Sequence, residues 1–134
     1  RKSKGFTLVE LLIVIIIIGI LAGMMMLATG SATDKAEATK IVSNMRNIKA
    51  AAIMYYADKG QWPVSTSDDA ALNKYLDQEL LAANAYAVNL ISGTSNDYEV
   101  EATVNDSGVL GKLTEMAAAS AISTDSTSAT MPIN

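Results

Sequence analysis

Apolar and polar positions are distributed unevenly along the chain. The segment from Leu11 to Ala28 has 18 residues without a charge, and extending it back to Phe6 gives 23 residues in which Glu10 is the only charge. An α-helix rises about 1.5 Å per residue, so this segment can cross a hydrocarbon layer of about 30 Å. We predict a membrane-spanning helix with one carboxylate near its start. Carboxylates are costly in lipid and tend to be functional there.

The helical period continues beyond the apolar run, but apolar residues now occupy only one side. Five apolar positions follow the i, i+4, i+7 spacing, namely Ile41, Met45, Ile48, Ala52 and Tyr55. Charged residues occupy much of the rest, as on the surface of an amphipathic helix. Gly60 suits a helix C-cap, and Pro63 follows it. We therefore predict one helix from Phe6 to about Ala57.

The 77 residues after this helix are predicted to form a small head. A head of this size rarely builds a sufficient core without disulfides, metals or partners. Because the sequence has no cysteine, we expect the head to use the apolar stripe Ile41–Tyr56 as one wall of its core. Local patterns predict a helix over 68–76, strands over 85–91 and 97–104, a helix from 109, and an edge strand near 130–133. The expected fold class is α+β, a long N-terminal α-helix packed against a small antiparallel β-sheet head.

Composition excludes several kinds of chemistry. The chain contains neither cysteine nor histidine, which removes thiolate nucleophiles, Cys-based metal sites and Ser-His pairs. Residues 6–134 carry 7 basic and 14 acidic side chains, and this acidic balance argues against binding nucleic acid through its phosphates. No phosphate loop or nucleotide motif is present in the sequence. We expect neither an enzyme nor a bound cofactor.

A short motif marks the start of the apolar run. The basic residues Arg1, Lys2 and Lys4 are followed by the sequence GFTLVE at residues 5–10. This motif resembles the processing signature of type IV pilins and of their relatives, the type II secretion pseudopilins and the competence pilins. The resemblance implies that a prepilin peptidase cuts after Gly5 and methylates the new N-terminal Phe6. The apolar helix then leaves the bilayer and becomes the core of a helical filament.

The resemblance also implies a division of the chain. It gives a leader at 1–5, a hydrophobic transmembrane or filament-core helix at 6–30, an amphipathic half of the same helix at 31–57, and a globular head at 58–134. Many type IV pilins carry a proline within the apolar segment, whereas this chain has none there. Gly19 and Gly23 instead match the spacing of small residues that lets helices in lipid approach closely. The alternative is that these glycines are simply tolerated in a membrane helix.

Glu10 has an implied role in assembly. By the resemblance, it neutralises the Phe6 amine of a neighbouring subunit and so sets the stagger between subunits. Cleavage would leave a cationic amine at Phe6, about 6 Å along a helix axis from Glu10. A helix N-terminus also favours a nearby anion. The alternative is a carboxylate that reaches the membrane surface with help from Lys4.

The implied function is that of a structural filament subunit. Its expected partners are further copies of itself, the prepilin peptidase, and the assembly machinery in the membrane, with no specific nucleic acid. The basic residues before the apolar run place the N-terminus in the cytoplasm before assembly, and a cell-surface or periplasmic filament follows assembly. Open alternatives are a type II secretion pseudopilin, a competence pilin or, in a different class, a single-pass membrane-anchored binding module.

Two groups of side chains are candidate sites, one in the head and one near the end of the long helix. Asp97, Glu99 and Glu101 alternate along the second predicted strand and so share one face. Oxygen ligands of this kind could hold Ca²⁺, but a solvated face is the preferred interpretation and no metal is expected.

The aromatic residues near the end of the long helix are the second group. We expect Tyr55, Tyr56 and Trp62 to pack in the core because of their helical spacing. A surface for adhesion or for DNA is the alternative.

Overall fold

The computed structural model describes residues 4–63, 66–77, 81, 85–91 and 97–133. Residues 1–3 of the expected leader lie outside the described residues. The chain divides into two compact units, residues 1–33 and residues 34–134. In chain order the elements are helix α1 (Leu8–Lys59), helix α2 (Thr66–Leu72), a 3-10 turn (Asn73–Tyr75), strands β1 (Tyr86–Leu90) and β2 (Tyr98–Thr103), helix α3 (Ser107–Ser120), and strands β3 (Ser123–Thr124) and β4 (Ser128–Pro132).

The long helix predicted from the sequence is confirmed, with both ends shifted by two residues. α1 has 52 residues and runs without interruption through its glycines. It ends at Gly60, which has a positive φ of 70° and donates its N–H to the Tyr56 carbonyl over 2.8 Å. A left-handed residue at this position favours glycine because it has no Cβ to clash.

The strands form one antiparallel sheet in the order β1-β2-β4-β3. The predicted strand near 130–133 is confirmed as β4, but its predicted position at the edge was wrong, because β4 pairs with β2 on one side and with β3 on the other. β3 has only two residues and falls in a Ser/Thr-rich stretch that shows no alternation of apolar and polar residues. Nothing in that stretch distinguishes a short strand from a loop.

The head core is built on one face of the sheet. The expected contribution of α1 is confirmed, since seven of its residues are buried in the same cluster as sheet and α3 side chains. They are Ala38, Val42, Met45, Ile48, Ala51, Ala52 and Tyr55. The sheet contributes Val88, Val100, Ala102, Ala129 and Met131, and α3 contributes Val109 and Leu113. The first buried residue of α1 is Ala38, so the part of α1 that lines the head core lies within the second unit.

The aromatic residues divide between core and surface. Tyr55 is buried and donates its hydroxyl to Asp68 over 3.3 Å. Tyr56 is 43 % exposed, which corrects the expectation that it packs in the core. One residue along a helix rotates a side chain by about 100°, which carries Tyr56 off the buried side. Its ring instead stacks on the half-buried Trp62, with ring centroids 4.5 Å apart.

Helix α3 begins with an aspartate cap. The Asp106 carboxylate accepts from the N–H groups of Gly108 (2.7 Å) and Val109 (3.2 Å), which satisfies donors that a helix start leaves free. The Asp34 carboxylate of α1 lies close by, because a Cβ built on Gly108 would come 2.5 Å from its Oδ2 atom. A methyl group at Gly108 would therefore displace the Asp34 carboxylate, which lies at the flexible end of its side chain.

We predict that Gly108→Ala gives a less favourable change in the free energy of unfolding of the head than Gly111→Ala, because only at Gly108 must the new methyl group displace a side-chain end, the Asp34 carboxylate. Gly111→Ala is the matched control in the same helix. A Cβ at Gly111 meets no atom within 4 Å, so this change should stabilise the head by about 0.5–1 kcal/mol. Denaturant unfolding of the full chain in detergent, followed by Trp62 fluorescence, measures both. Equal effects at the two glycines would contradict the close contact.

Asp125 organises the turn between β3 and β4, and we predict a pH-dependent contribution to stability. Its carboxylate accepts from Thr127 N, Ser128 N and Ser128 Oγ, each at 2.8 Å, and these hydrogen bonds lower the pKa of Asp125 below its ordinary value of 3.8. A lowered pKa in the folded state gives stability that is present above 3.8 and is lost as the pH falls through the folded value.

Asp125→Asn should therefore destabilise the head at neutral pH, and its difference from the parent should shrink at a pH well below 3.8. Asp77→Asn is the control, because Asp77 is exposed and makes no hydrogen bond to a described residue. Unfolding curves of both variants at the two pH values measure the effect. A pH-independent difference for Asp125→Asn would show that its charge is not what stabilises the turn.

Candidate processing and assembly site

The start of α1 is closed by reciprocal hydrogen bonds between Thr7 and Glu10. The Glu10 N–H donates to Thr7 Oγ1 over 3.2 Å, and the Thr7 N–H donates to Glu10 Oε2 over 2.8 Å. The Thr7 hydroxyl also donates to Glu10 Oε2 over 3.0 Å. This arrangement is a capping box, in which Thr7 is the N-cap and Glu10 the third helical residue. It satisfies two backbone donors of the first turn.

Sequence reasoning missed this role of Glu10. The signal was available, because Thr7-Leu8-Val9-Glu10 has the T-x-x-E spacing of a capping box directly before an apolar helix. The structure also bears on the alternative in which Lys4 assists the carboxylate. Within the described residues the ion pair is Lys112–Glu115, and Lys4 makes none with Glu10. The Glu10 carboxylate is held by Thr7 instead.

Gly5 and Phe6 lie ahead of the helix. Residues 4–7 have no regular secondary structure, and α1 begins at Leu8. The Phe6 side chain is 92 % exposed, and no atom lies within 4 Å of a Cβ built on Gly5. The peptide bond between them is therefore accessible and free of helical hydrogen bonding.

The first unit presents a continuous apolar surface. Every large hydrophobic side chain from Phe6 to Leu27 is exposed. α1 is long and apolar enough to cross a membrane by length and composition, and no part of its most apolar stretch is buried. An exposed apolar surface of this extent marks a membrane or a protein interface. A helix that is apolar on all sides is stable only when a membrane or other protein surfaces shield it from water.

The C-terminal part of the first unit contains glycines with open space beside them and threonines whose hydroxyl groups bond to the helix backbone. A Cβ at Gly19, Gly23 or Gly30 would meet no atom within 4 Å, so the space beside each is open to a neighbouring helix. Thr29 and Thr33 donate their hydroxyls to helix carbonyls one turn earlier, at 2.7 Å and 3.0 Å respectively. These bonds keep the hydroxyl groups satisfied without a partner outside the helix.

The carboxylates of β2 lie on the outer face of the sheet. Glu99 and Glu101 are half-buried, and Asn89 of β1 donates to Glu101 over 2.6 Å. Asp97 is exposed and precedes the strand. The described residues contain no group of three Asp, Glu, His or Cys side chains that could hold a metal ion.

Comparison with known proteins agrees with this geometry. A family model described as the prokaryotic N-terminal methylation motif matches residues 1–26. The fimbrial protein EcpC of Eikenella corrodens is 36 % identical over 113 residues, covering 81 % of this chain and 67 % of that protein. The type IV major pilin protein PilE1 of Neisseria gonorrhoeae is 33 % identical over 103 residues, which cover 71 % of this chain and 62 % of that protein.

A secretion protein is similar over a shorter stretch. The type II secretion system core protein G of Klebsiella michiganensis is 35 % identical over 65 residues, covering 48 % of this chain and 46 % of that protein. The chain thus spans about half to two-thirds of the length of these relatives. No solved structure matches the chain. The methylation motif, the apolar helix that begins within it and the antiparallel head together show that the chain belongs to the type IV pilin and pseudopilin family.

Proposed function

We propose that this chain is a structural subunit of a type IV pilus or of a pilus-like filament. The observation that carries the proposal is the apolar surface from Phe6 to Leu27, which is exposed on every side of a helix that continues into a folded head. Such a surface is stable in a lipid bilayer or in a bundle with other copies of the same helix. A filament subunit occupies the lipid bilayer first and the helix bundle afterwards. It functions by assembling and does not catalyse a reaction.

Processing is the first step of the proposed pathway. The prepilin peptidase cuts after Gly5 and methylates Phe6, which removes the leader at 1–5. The accessible, non-helical peptide around this bond supports the proposal, because a protease needs its substrate outside a helix. The match of residues 1–26 to the methylation motif supports it as well. Arg1, Lys2 and Lys4 keep this end in the cytoplasm until cleavage.

Glu10 then serves two purposes with its two carboxylate oxygens. Oε2 accepts both hydrogen bonds from Thr7 and holds the first turn of the helix. Oε1 makes no hydrogen bond to a described residue, so it is available to the Phe6 amine of a neighbouring subunit. The cap fixes where the carboxylate lies, and the amine of the neighbour selects the register between helices. The two purposes do not compete for one atom.

A pseudopilin of type II secretion is the second candidate. The similarity to the secretion core protein G favours it, although this similarity covers 48 % of the chain. Both candidates share processing, helix bundling and the assembly machinery, and they differ in whether the filament is a surface pilus or belongs to a secretion system. A membrane-anchored binding module is a further alternative, and it predicts an uncut Gly5–Phe6 bond.

Substitutions at Glu10 and Thr7 should separate the cap from the charge. Glutamine is accepted at this position of a capping box but carries no charge. We therefore predict that Glu10→Gln leaves the membrane pool intact and lowers the yield of sheared filaments by at least about ten-fold, because the neighbouring amine loses its anion. Thr7→Val removes the hydroxyl half of the cap and should lower the yield less, since a lost N-cap costs about 1 kcal/mol.

Filaments sheared from cells that naturally make the protein, together with the membrane fraction of the same cells, provide the measurement. The mass of the membrane-bound variant shows whether cleavage still occurs, so a processing defect is recognised separately. A wild-type yield for Glu10→Gln combined with a low yield for Thr7→Val would mean that Glu10 acts only as a helix cap.

The intact mass of the protein in those filaments tests the pathway as a whole. We predict a chain that starts at Phe6 and carries one methyl group, because processing precedes assembly. Finding the protein only in membranes, with residues 1–5 still attached, would contradict the filament function and favour the anchored binding module.

A further inference from the structure

Three consecutive methionines, Met24, Met25 and Met26, lie in the last third of the apolar segment. They hold all the sulfur of the first unit, because the chain has no cysteine and its other methionines belong to the second unit. Their side chains are exposed by 64 %, 72 % and 84 % respectively. Met45 and Met131 of the second unit are buried instead. The accessible thioether groups of the chain are therefore concentrated in this run.

The methionine run lies close to the outer end of the membrane-spanning segment. Met24 to Met26 come about 24–27 Å along the helix axis from Leu8, against a hydrocarbon layer of about 30 Å. Polar side chains resume at Thr29. In the orientation proposed above, this end of the segment faces away from the cytoplasm. Small uncharged oxidants that reach the cell from outside therefore meet these sulfur atoms early.

A methionine thioether reacts with such an oxidant without any cofactor. A lone pair of the sulfur attacks one oxygen of hydrogen peroxide, the O–O bond breaks, and the departing hydroxide takes up the remaining proton to leave as water. The sulfur loses two electrons and becomes a sulfoxide, while the peroxide is reduced. The product is polar and chiral, and dedicated reductases can return it to the thioether. The change is therefore a reversible modification.

A bundle of these helices accommodates a sulfoxide poorly. From Leu11 to Ala28 no side chain carries an N–H or O–H group, so a second copy offers no side-chain donor along the same residues. The backbone N–H groups there are used within the uninterrupted helix. The Thr29 hydroxyl already donates to the Met25 carbonyl over 2.7 Å. A sulfoxide oxygen enclosed between such helices lacks a partner, and burial of a polar group without one is costly.

The direction of the three side chains makes this cost hard to avoid. Successive residues of a helix point about 100° apart, so the run covers about 200° of its circumference. A helix inside a bundle has neighbours on several sides, and at least one of the three side chains faces one of them. Rotating the helix moves one methionine away from a neighbour and brings another toward it.

The bilayer tolerates the same group better. A methionine side chain is unbranched and has three rotatable bonds, so it can adapt its direction. Near the interface a flexible side chain can keep its polar end in water while its stem stays in lipid. Oxidation therefore disfavours the bundle more than the bilayer. A change that acts unequally on two states shifts the population toward the state that it disfavours less.

We propose that Met24, Met25 and Met26 form an oxidation-sensitive modification site that controls assembly. A peroxide-class oxidant converts them to sulfoxides in the membrane-bound copy, and the oxidised chain stays in the membrane until it is reduced. The inference rests on the proposed filament function and adds a chemical control to it.

Replacing the run by leucine tests the proposal in the full chain. One variant carries Met24→Leu, Met25→Leu and Met26→Leu, which keeps the segment apolar at similar volume and removes its sulfur. Cells that naturally make the protein are exposed to hydrogen peroxide while new filaments form. We expect the yield of sheared wild-type filaments to fall by about ten-fold, because sulfoxides disrupt methionine-rich interfaces. The yield of the leucine variant should stay within about two-fold of its untreated value, since leucine cannot be oxidised in this way.

Met54→Leu is the matched control. Met54 lies on the same helix and is 53 % exposed, but it belongs to the second unit, outside the apolar segment. This variant keeps the run and should lose filament yield under peroxide as wild type does. Peptide masses then locate the added oxygen atoms in the wild-type chain. We expect sulfoxides at residues 24–26 in the membrane pool and at least about ten-fold fewer of them in the filaments of the same cells.

The outcomes separate this control from the function beneath it. Equal losses in wild type and in the leucine variant would show that peroxide acts on other components, and they overturn the proposal. Sulfoxides at residues 24–26 that are as frequent in filaments as in membranes overturn it as well, and this comparison decides the question even where the leucine variant does not assemble. Untreated wild-type cells whose protein never leaves the membrane contradict the filament function itself.

Discussion

A single helix has to satisfy two different surroundings, and the rest of the structure depends on this constraint. Up to Leu27 the large side chains of α1 are apolar apart from Glu10 and are exposed on all sides, whereas from Ala38 onward one side of the helix is buried under the head. The head has no cysteine, so helix side chains complete a core that its own strands could not close. Removing residues beyond Ala38 would therefore remove a wall of the head and not merely its anchor.

The lipid environment also explains the N-terminal cap. In hydrocarbon a backbone group without a partner costs several kcal/mol, so helix ends at the membrane need internal partners. The capping box of Thr7 and Glu10 supplies them for the first turn, and the threonine hydroxyls near the other end bond back to the helix. Glu10 is thus explained by local structure before any neighbour is considered. This is why a test of its proposed assembly role has to preserve the cap while it removes the charge.

The parts of the fold that could be predicted are those with a local periodic signal. The ends of α1 were predicted to within two residues, because its apolar period stops at a glycine that caps it in the left-handed conformation. The pairing of β3 with β4 could not be predicted, since its Ser/Thr-rich residues alternate in no pattern and are ordered by the Asp125 turn. Tyr56 was wrongly predicted to pack in the core because it is adjacent to Tyr55 in sequence. Adjacent residues of a helix point about 100° apart, so a buried Tyr55 does not imply a buried Tyr56. The capping box could have been predicted from the T-x-x-E spacing at residues 7–10. These residues also belong to the processing motif, which already offered a role for Glu10.

Hydrophobic attraction alone cannot specify an ordered filament of this chain. It has no direction, and an apolar helix that is similar on every side can slide or rotate against its neighbours at little cost. Order must therefore come from polar groups at fixed positions. The proposed role of Glu10 supplies one such group, because its hydrogen bonds with Thr7 hold the carboxylate at the start of the helix.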